Sequence, residues 1–558
     1  MAVEAAIVLN ATGQAVALSS QRPSAAGDKS YPSEAADLVS ARLTARLSGK
    51  RVEALSERTE SSTTWANPDG TMTTDAASGP VRFRDKTTGA WRNVDVDLAK
   101  SSDGSVVAKD HPLGLKLGGK TPVAKAARVK ASGAAGAAKT APVPLVSLDA
   151  GEGRSLDLSW RGVLPEPAIS GHTARYANAL TATDLVIEST RTGFEQFLEL
   201  KDRSAIDANG SVTLTLNAKG IEARANADRS VTFLDTESGK QVGTLPAPVM
   251  WDAYVDPQSG EHTRRADVGL KVTQDGEAID LTLTPDAEFL ADPARTFPVT
   301  VDPAVNLGAS FDTFVQQGYA VDTSAQTELK LGNNGSGQIA RSFLHFPMTQ
   351  ISGKQILGAK LNLWNFHSWS CTASGWEVWD TPHASTATRW TNQPNWNNKW
   401  AASTATKGYS SSCADDWVSQ DIKDLAVAWA ANGNSSNAMG IRATNESDPY
   451  SWKRFNSGNA ASNMPYVSVT YNTAPIAGNP MSVTPGRTNA GKNWVTTTTP
   501  HMGYTASDAE TTFLRSKWEL WEGSTNLEVY DSGTQDSVTN KKVSHQAPAG
   551  KLVNGRTY

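Results

Sequence analysis

The sequence predicts a mainly β protein, with several antiparallel β-sandwich or jelly-roll domains in tandem after a short helical N-terminal segment. Three observations predict it. From Arg51 onward, apolar and polar residues alternate in runs of about four to eight, the period of a half-buried strand. Gly, Asn, Asp and Pro separate those runs with turn chemistry. Ten of the 17 tryptophans fall between Trp364 and Trp452, in a charge-poor stretch that also holds both cysteines.

Composition sets the bounds. A chain of 558 residues exceeds one ordinary core, and about three to five domains is the expectation. The formal net charge of −5 is small for this length and argues against nucleic acid or an anionic membrane as partner. No apolar run has the length of a membrane-spanning helix. Residues 1–17 are mildly apolar but lack the basic start and long apolar stretch of a secretory signal, so the expected start lies upstream or the signal has been trimmed. Two cysteines fit a reduced cytosolic chain as well as an exported one.

Taken in order, residues 1–50 read as partly helical or flexible, with helical spacing over 35–47. Residues 51–118 read as a β-rich domain. Its first hairpin turns at Asn67-Pro68-Asp69-Gly70 and its second at Thr88-Gly89. Residues 119–142, mostly Ala, Gly and Lys, cannot build a core and read as a linker. Residues 143–303 return to short alternating runs and read as a β-sandwich region. Residues 304–473 are the Trp-rich domain, and 474–558 follow a short Asn-Thr-Ala-Pro linker in antiparallel style.

The order of motifs in 304–473 carries a resemblance. Asp312-Thr313-Phe314-Val315 precedes Leu329-Lys330-Leu331-Gly332, then Arg341 to Phe346, then Ile356 to Leu363. Arg389-Trp390-Thr391-Asn392-Gln393-Pro394, a short helix at 422–430, Met439-Gly440-Ile441 and Pro465 to Tyr471 close the series. This stretch resembles the DNRLRE family, also classed as a carbohydrate-binding module. The resemblance implies a β-jelly roll that binds polysaccharide. His345 departs from the polar or charged residue expected there. Residues 51–303 resemble the β-rich N-terminal region of large secreted Gram-positive surface proteins, including Rhs-repeat and wall-associated polymorphic toxins. The last 85 residues resemble a fibronectin type III-like domain. Leu552, Gly555 and Tyr558 match its pattern, which implies a domain truncated at its C-terminus.

Alternation assigns faces. If Ala359, Leu361 and Leu363 are buried as the resemblance implies, Lys360, Asn362, Trp364 and Phe366 share the outer face. Indole stacks on the C–H face of a pyranose while polar neighbours take its hydroxyls. Lys360, Asn362, Trp364 and Phe366, with Trp369 and Trp379 in nearby loops, are therefore the candidate carbohydrate-binding residues. Packing under loops or against a neighbouring domain is the competing role. Trp390 and Trp417 sit where the family has core aromatics, and Trp429 shares the apolar face of the short helix with Ile422 and Leu425. These three are expected in the core. Cys371 and Cys413 are expected to form a disulfide if the chain is exported, with a pair of buried thiols as the alternative.

No catalytic pattern emerges. None of the eight histidines lies in a metal-binding spacing, and there is no nucleophile elbow or phosphate loop. The carboxylate pairs Asp415-Asp416 and Glu446/Asp448 read as solvated surface or calcium ligands, not as a glycosidase pair. The expectation is a non-enzymatic, extracellular or cell-surface protein without catalytic residues, metal or cofactor, calcium being left unassigned. Its partners would be a cell-wall or other glycan and downstream domains of the same polypeptide. The rival reading is the structural, delivery portion of an Rhs-type toxin, whose tryptophans pack between domains.

Overall fold

Strand alternation and turn chemistry build two β bodies and a C-terminal set of hairpins. The computed structural model describes residues 30–121, 142–151, 154–205, 210–302, 305–306, 312–433, 437–477, 481–490, 492–508 and 513–558. The expected linker lies almost wholly outside them, as do residues 1–29. The predicted N-terminal helix spans Leu38–Ser48. Asp37 caps it by accepting from the Ser40 amide, and Gly49 ends it at φ 66.

The first body is the jelly roll. Its strands continue from Ser62–Ala66 through Met72–Ala77, Tyr466–Asn472, Gln355–Ser368 and Lys453–Asn456 to Glu328–Asn333. From there Ile339–His345, Ala438–Ala443, Trp376–Asp380 and Lys399–Ser403 form the facing wall. Leu361, Leu363, Val467 and Val469 from one wall meet Leu344, Ile441, Trp376 and Val378 from the other in one buried core. The helix Lys423–Asn432 closes that core with Leu425, Ala426, Trp429 and Ala430.

The second body is a sandwich. One sheet runs Gly269–Asp275, Ala278–Thr284, Val212–Lys219, Arg154–Trp160 and Val143–Gly151, and ends on Lys116–Leu117, Val106–Asp110 and Asp95–Lys100. The other carries Ala168–Ser170, Thr173–Leu180, Thr183–Thr190 and Gly193–Leu200. Leu156, Leu158 and Leu216 pack against Leu185, Ile187 and Leu198 between them.

The expectation that 51–118 forms one domain is corrected. Met72–Ala77 pairs antiparallel with Tyr466–Asn472, from Ala77 opposite Tyr466 to Met72 opposite Tyr471, so this hairpin belongs to the jelly roll. Asp95–Lys100 and its neighbours belong to the sandwich instead. An exposed strand edge is a pairing template, and the hairpin covers the edge that Tyr466–Asn472 would otherwise present.

The two bodies dock through the loop at 256–262. Trp452, buried, donates its indole N–H to the Ser259 carbonyl at 2.8 Å. Lys330 Nζ, also buried, lies 2.7 Å from Glu261 and 2.9 Å from Glu328. Burial opposes charge on all three groups. The mutual attraction outweighs it, holding both carboxyls below and the ammonium above their usual ranges. Asn334 and Gln316 donate to the second oxygen of Glu261. Farther along, Arg191 donates to the Pro80, Ala460 and Ala461 carbonyls.

In the C-terminal part, His501–Ser507 pairs with Ile476–Ala477, Ser482–Thr484 and Lys542–Gln546. Phe513–Glu522 pairs with Leu527–Val538 as a long hairpin.

Candidate functional site

The outer face of the jelly-roll wall carries a continuous set of aromatic and short polar residues. Strand register defines its rows. Trp364 on Gln355–Ser368 stands opposite Trp417 on Asp416–Asp421. Asn362 is flanked by Ser419 and Tyr466, and Lys360 by Asp421 and Ser468. Leu361, Leu363 and Val418 point into the core, and Asn362, although on the outer side, is also buried, beneath its neighbours on the face.

The rings on this face touch edge to face. Trp364 and Trp417 have centroids 5.6 Å apart at 80°, and Trp417 and Tyr466 5.2 Å apart at 79°. Such contacts fix ring orientation and leave part of each plate open. Trp364, Trp417 and Tyr466 are all only partly buried. Lys360, Ser419 and Asp421 beside them are exposed. The Ser419 hydroxyl donates to Asn362 Oδ1, which sets the Asn362 amide at the base of the face.

Trp417 therefore corrects an expectation. It is not a core residue, because Val418 takes the inward position of its strand. Trp390 also lies outside the hydrophobic core, half-buried under the Arg341 guanidinium at 4.6 Å. Trp429 is buried, 3 % exposed, in the jelly-roll core.

The remaining candidates lie elsewhere. Phe366 is on the same strand, at the irregularity between Asn365 and His367, and lies under Arg454 at 5.1 Å. Trp369 packs against the turn at Gly335, where a Cβ would come within 2.2 Å of its ring. Trp379 is on the facing wall, in a ladder of alternating rings and guanidinium groups. Arg442 stands 4.2 Å from Trp379 and 5.0 Å from Trp396. Arg341 stands 4.6 Å from Trp390 and 5.7 Å from Trp396. Glu446 clamps Arg341 from Nε and Nη2 at 2.7 and 2.6 Å. In this ladder the rings pack against guanidinium groups, Trp396 contacting both Arg341 and Arg442.

Cys371 and Cys413 are joined in a disulfide that ties the loop after Gln355–Ser368 to the loop before Asp416–Asp421. It ties off the end of the strand pair that carries Trp364 and Trp417. Among the described residues no group of three or more His, Cys, Asp or Glu side chains is placed to hold a metal ion. No helix among them is long and apolar enough to cross a membrane.

Residues 303–471 match the model of carbohydrate-binding module family 96. The chain is 29% identical over 289 residues to the tRNA nuclease WapA of Bacillus subtilis strain 168. It is 28% identical over the same length to the tRNA(Glu)-specific nuclease WapA of Bacillus subtilis subsp. natto. Each alignment covers 49% of this chain and 12% of the relative, so the chain spans a small part of those proteins. A solved structure, the N-terminal domain of the Streptococcus gordonii adhesin Sgo0707, aligns over 91% of this chain and 98% of its own at 6% identity. Its TM-score of 0.11 is too low to indicate a shared fold.

Proposed function

We propose that this chain is a non-catalytic, extracellular protein whose jelly roll holds a polysaccharide of the cell wall or matrix on the face centred on Trp364 and Trp417. One observation carries the reading. Within a carbohydrate-binding module match, two partly open indoles stand edge to face on a sheet face among Lys360, Asn362, Ser419 and Asp421. Pyranose rings stack on the indoles, and the exposed Lys360, Ser419 and Asp421 side chains take the sugar hydroxyls, with Asn362 holding Ser419 from below. Single contacts of this kind are weak, and repetition along a polymer raises the affinity. No cofactor enters the reading.

The test is retention of the full chain on insoluble polysaccharides and purified cell walls, with Trp364→Ala and Trp417→Ala beside the unsubstituted protein. Loss of retention in both variants at an unchanged melting temperature supports the reading. Equal retention in all three removes it.

A second reading has its own support. The likeness to WapA and the docking of Trp452 on Ser259 favour a delivery or scaffold role in a wall-associated, Rhs-type toxin. In that role some tryptophans serve as packing between bodies. Finding no nuclease region in the full-length gene product would count against it.

A further inference from the structure

The face that carries Trp364 does not stop at the boundary of the family match. Tyr466 stands opposite Ala77, Ser468 opposite Asp75 and Thr470 opposite Thr73. In turn Asp75 stands opposite Thr63, and Thr73 opposite Trp65. The outer positions of five adjacent strands are thus in register: Trp65 and Thr63, then Thr73 and Asp75, then Tyr466, Ser468 and Thr470, then Lys360, Asn362 and Trp364, then Trp417, Ser419 and Asp421. Thr73 and Thr470 share a hydroxyl–hydroxyl bond of 3.0 Å across the join.

Aromatic rings sit at both ends of this surface. Trp65 is partly exposed and braced by Arg51, whose guanidinium lies 4.4 Å from the ring. Four residues along the strands and two strand spacings separate Trp65 from the Tyr466 position. That is a diagonal of roughly 16 Å at a rise of about 3.3 Å and a spacing of about 4.8 Å. Between the ends lie the small side chains of Thr63, Thr73, Asp75, Ser468 and Thr470. Charges of both signs lie on and beside the face, Arg51, Arg58 and Lys360 with Glu53, Asp75 and Asp421.

We propose that the saccharide site is composite. It runs from Trp364 and Trp417 across Tyr466 onto the N-terminal hairpin at Trp65, and takes a neutral, extended chain of β-1,4-linked hexopyranoses. The proposal rests on the reading of Trp364 and Trp417 given above. A broad sheet face with rings at both ends suits a ribbon whose equatorial linkages leave the C–H face of every ring exposed. Axially linked chains coil away from such a plane. The balanced charge favours an uncharged polymer over an acidic or basic one.

The experiment is calorimetric titration of the full chain with cellohexaose and chitohexaose, with their disaccharides, and with the α-1,4-linked maltohexaose. Trp65→Ala and Thr73→Arg test the hairpin end, the second by obstructing the face without removing a ring. Trp364→Ala tests the module end, and melting curves check each fold. Expected is binding of a β-1,4 hexaose and not of maltohexaose. Trp65→Ala and Thr73→Arg should each weaken it about tenfold, with disaccharide binding unchanged, whereas Trp364→Ala weakens both lengths. Hexaose binding untouched by Trp65→Ala and Thr73→Arg but lost in Trp364→Ala overturns the composite site and leaves the module reading intact. Binding untouched by Trp364→Ala overturns the module reading itself. No binding of any β-1,4 oligomer, or tighter binding of maltohexaose, overturns the proposed ligand class and the composite site with it.

Discussion

Glu261 reaches out of the sandwich to place a carboxylate oxygen 2.7 Å from Lys330 Nζ inside the jelly roll, both side chains almost wholly buried. This pair, with Glu328 and Arg454 beside it, joins the two bodies through a buried ion cluster. Lys330→Met leaves the Glu261 carboxylate buried without its cation. The expected cost is about 3–5 kcal/mol, read from denaturant unfolding. Adding Glu261→Gln to that variant should recover part of the loss. An unchanged midpoint in Lys330→Met would contradict the assigned role.

Trp429 and Trp417 should separate stability from binding. Trp429→Ala opens a hole in the core and should cost about 3–5 kcal/mol in unfolding experiments. Trp417→Ala removes a surface plate and should shift stability by far less while reducing polysaccharide retention. Equal destabilisation by the two would return Trp417 to a packing role.

Asp312 gives a pH dependence with a defined sign. Burial raises its carboxyl from 3.8 to about 7, although the Gly458 amide and the Ser78 hydroxyl both donate to it. Between those values the folded state binds more protons than the unfolded state. This group therefore costs stability progressively as pH rises from about 4 to about 7. Asp312→Asn should match the unsubstituted protein near the acid end and exceed it at pH 8, by on the order of 1–4 kcal/mol. Melting both proteins across that range checks the sign, and a gap that shrinks with rising pH would refute it.

The family-matched segment alone should be a poor protein. A fragment of residues 303–471 lacks Met72–Ala77 and presents the edge of Tyr466–Asn472 unpaired. It should associate in sizing experiments and melt below a fragment of residues 30–477. A monomeric 303–471 fragment with the higher melting temperature would show that the hairpin is dispensable.

Much of the architecture was legible because alternation and turns are local. The hairpin at 62–77, the helix after Asp37 and the outward positions of Lys360 and Trp364 all follow from neighbours in sequence, whereas the burial of Asn362 on the same side does not. Trp417 carries the same signal, since Val418 beside it is the apolar neighbour that must face inward, and alternation places Trp417 outward where the family resemblance implies a core aromatic. Trp65 and Tyr466 could not be joined to Trp364 from sequence. Their common face exists only through a register set between strands nearly 400 positions apart, as the Thr73–Thr470 separation of 397 shows. The split of residues 51–118 was hidden for the same reason. Nothing in those residues says which sheet each hairpin will join.

That long-range pairing also sets a timetable. A ribosome adding about 5–20 residues per second needs roughly 20–80 s to pass from Thr73 to Thr470. Throughout that interval the N-terminal hairpin is complete but its edge has no mate. Dwell time rather than final stability is then the hazard for this segment, and pausing between the two strands would lengthen the window in which one nascent chain can pair with another.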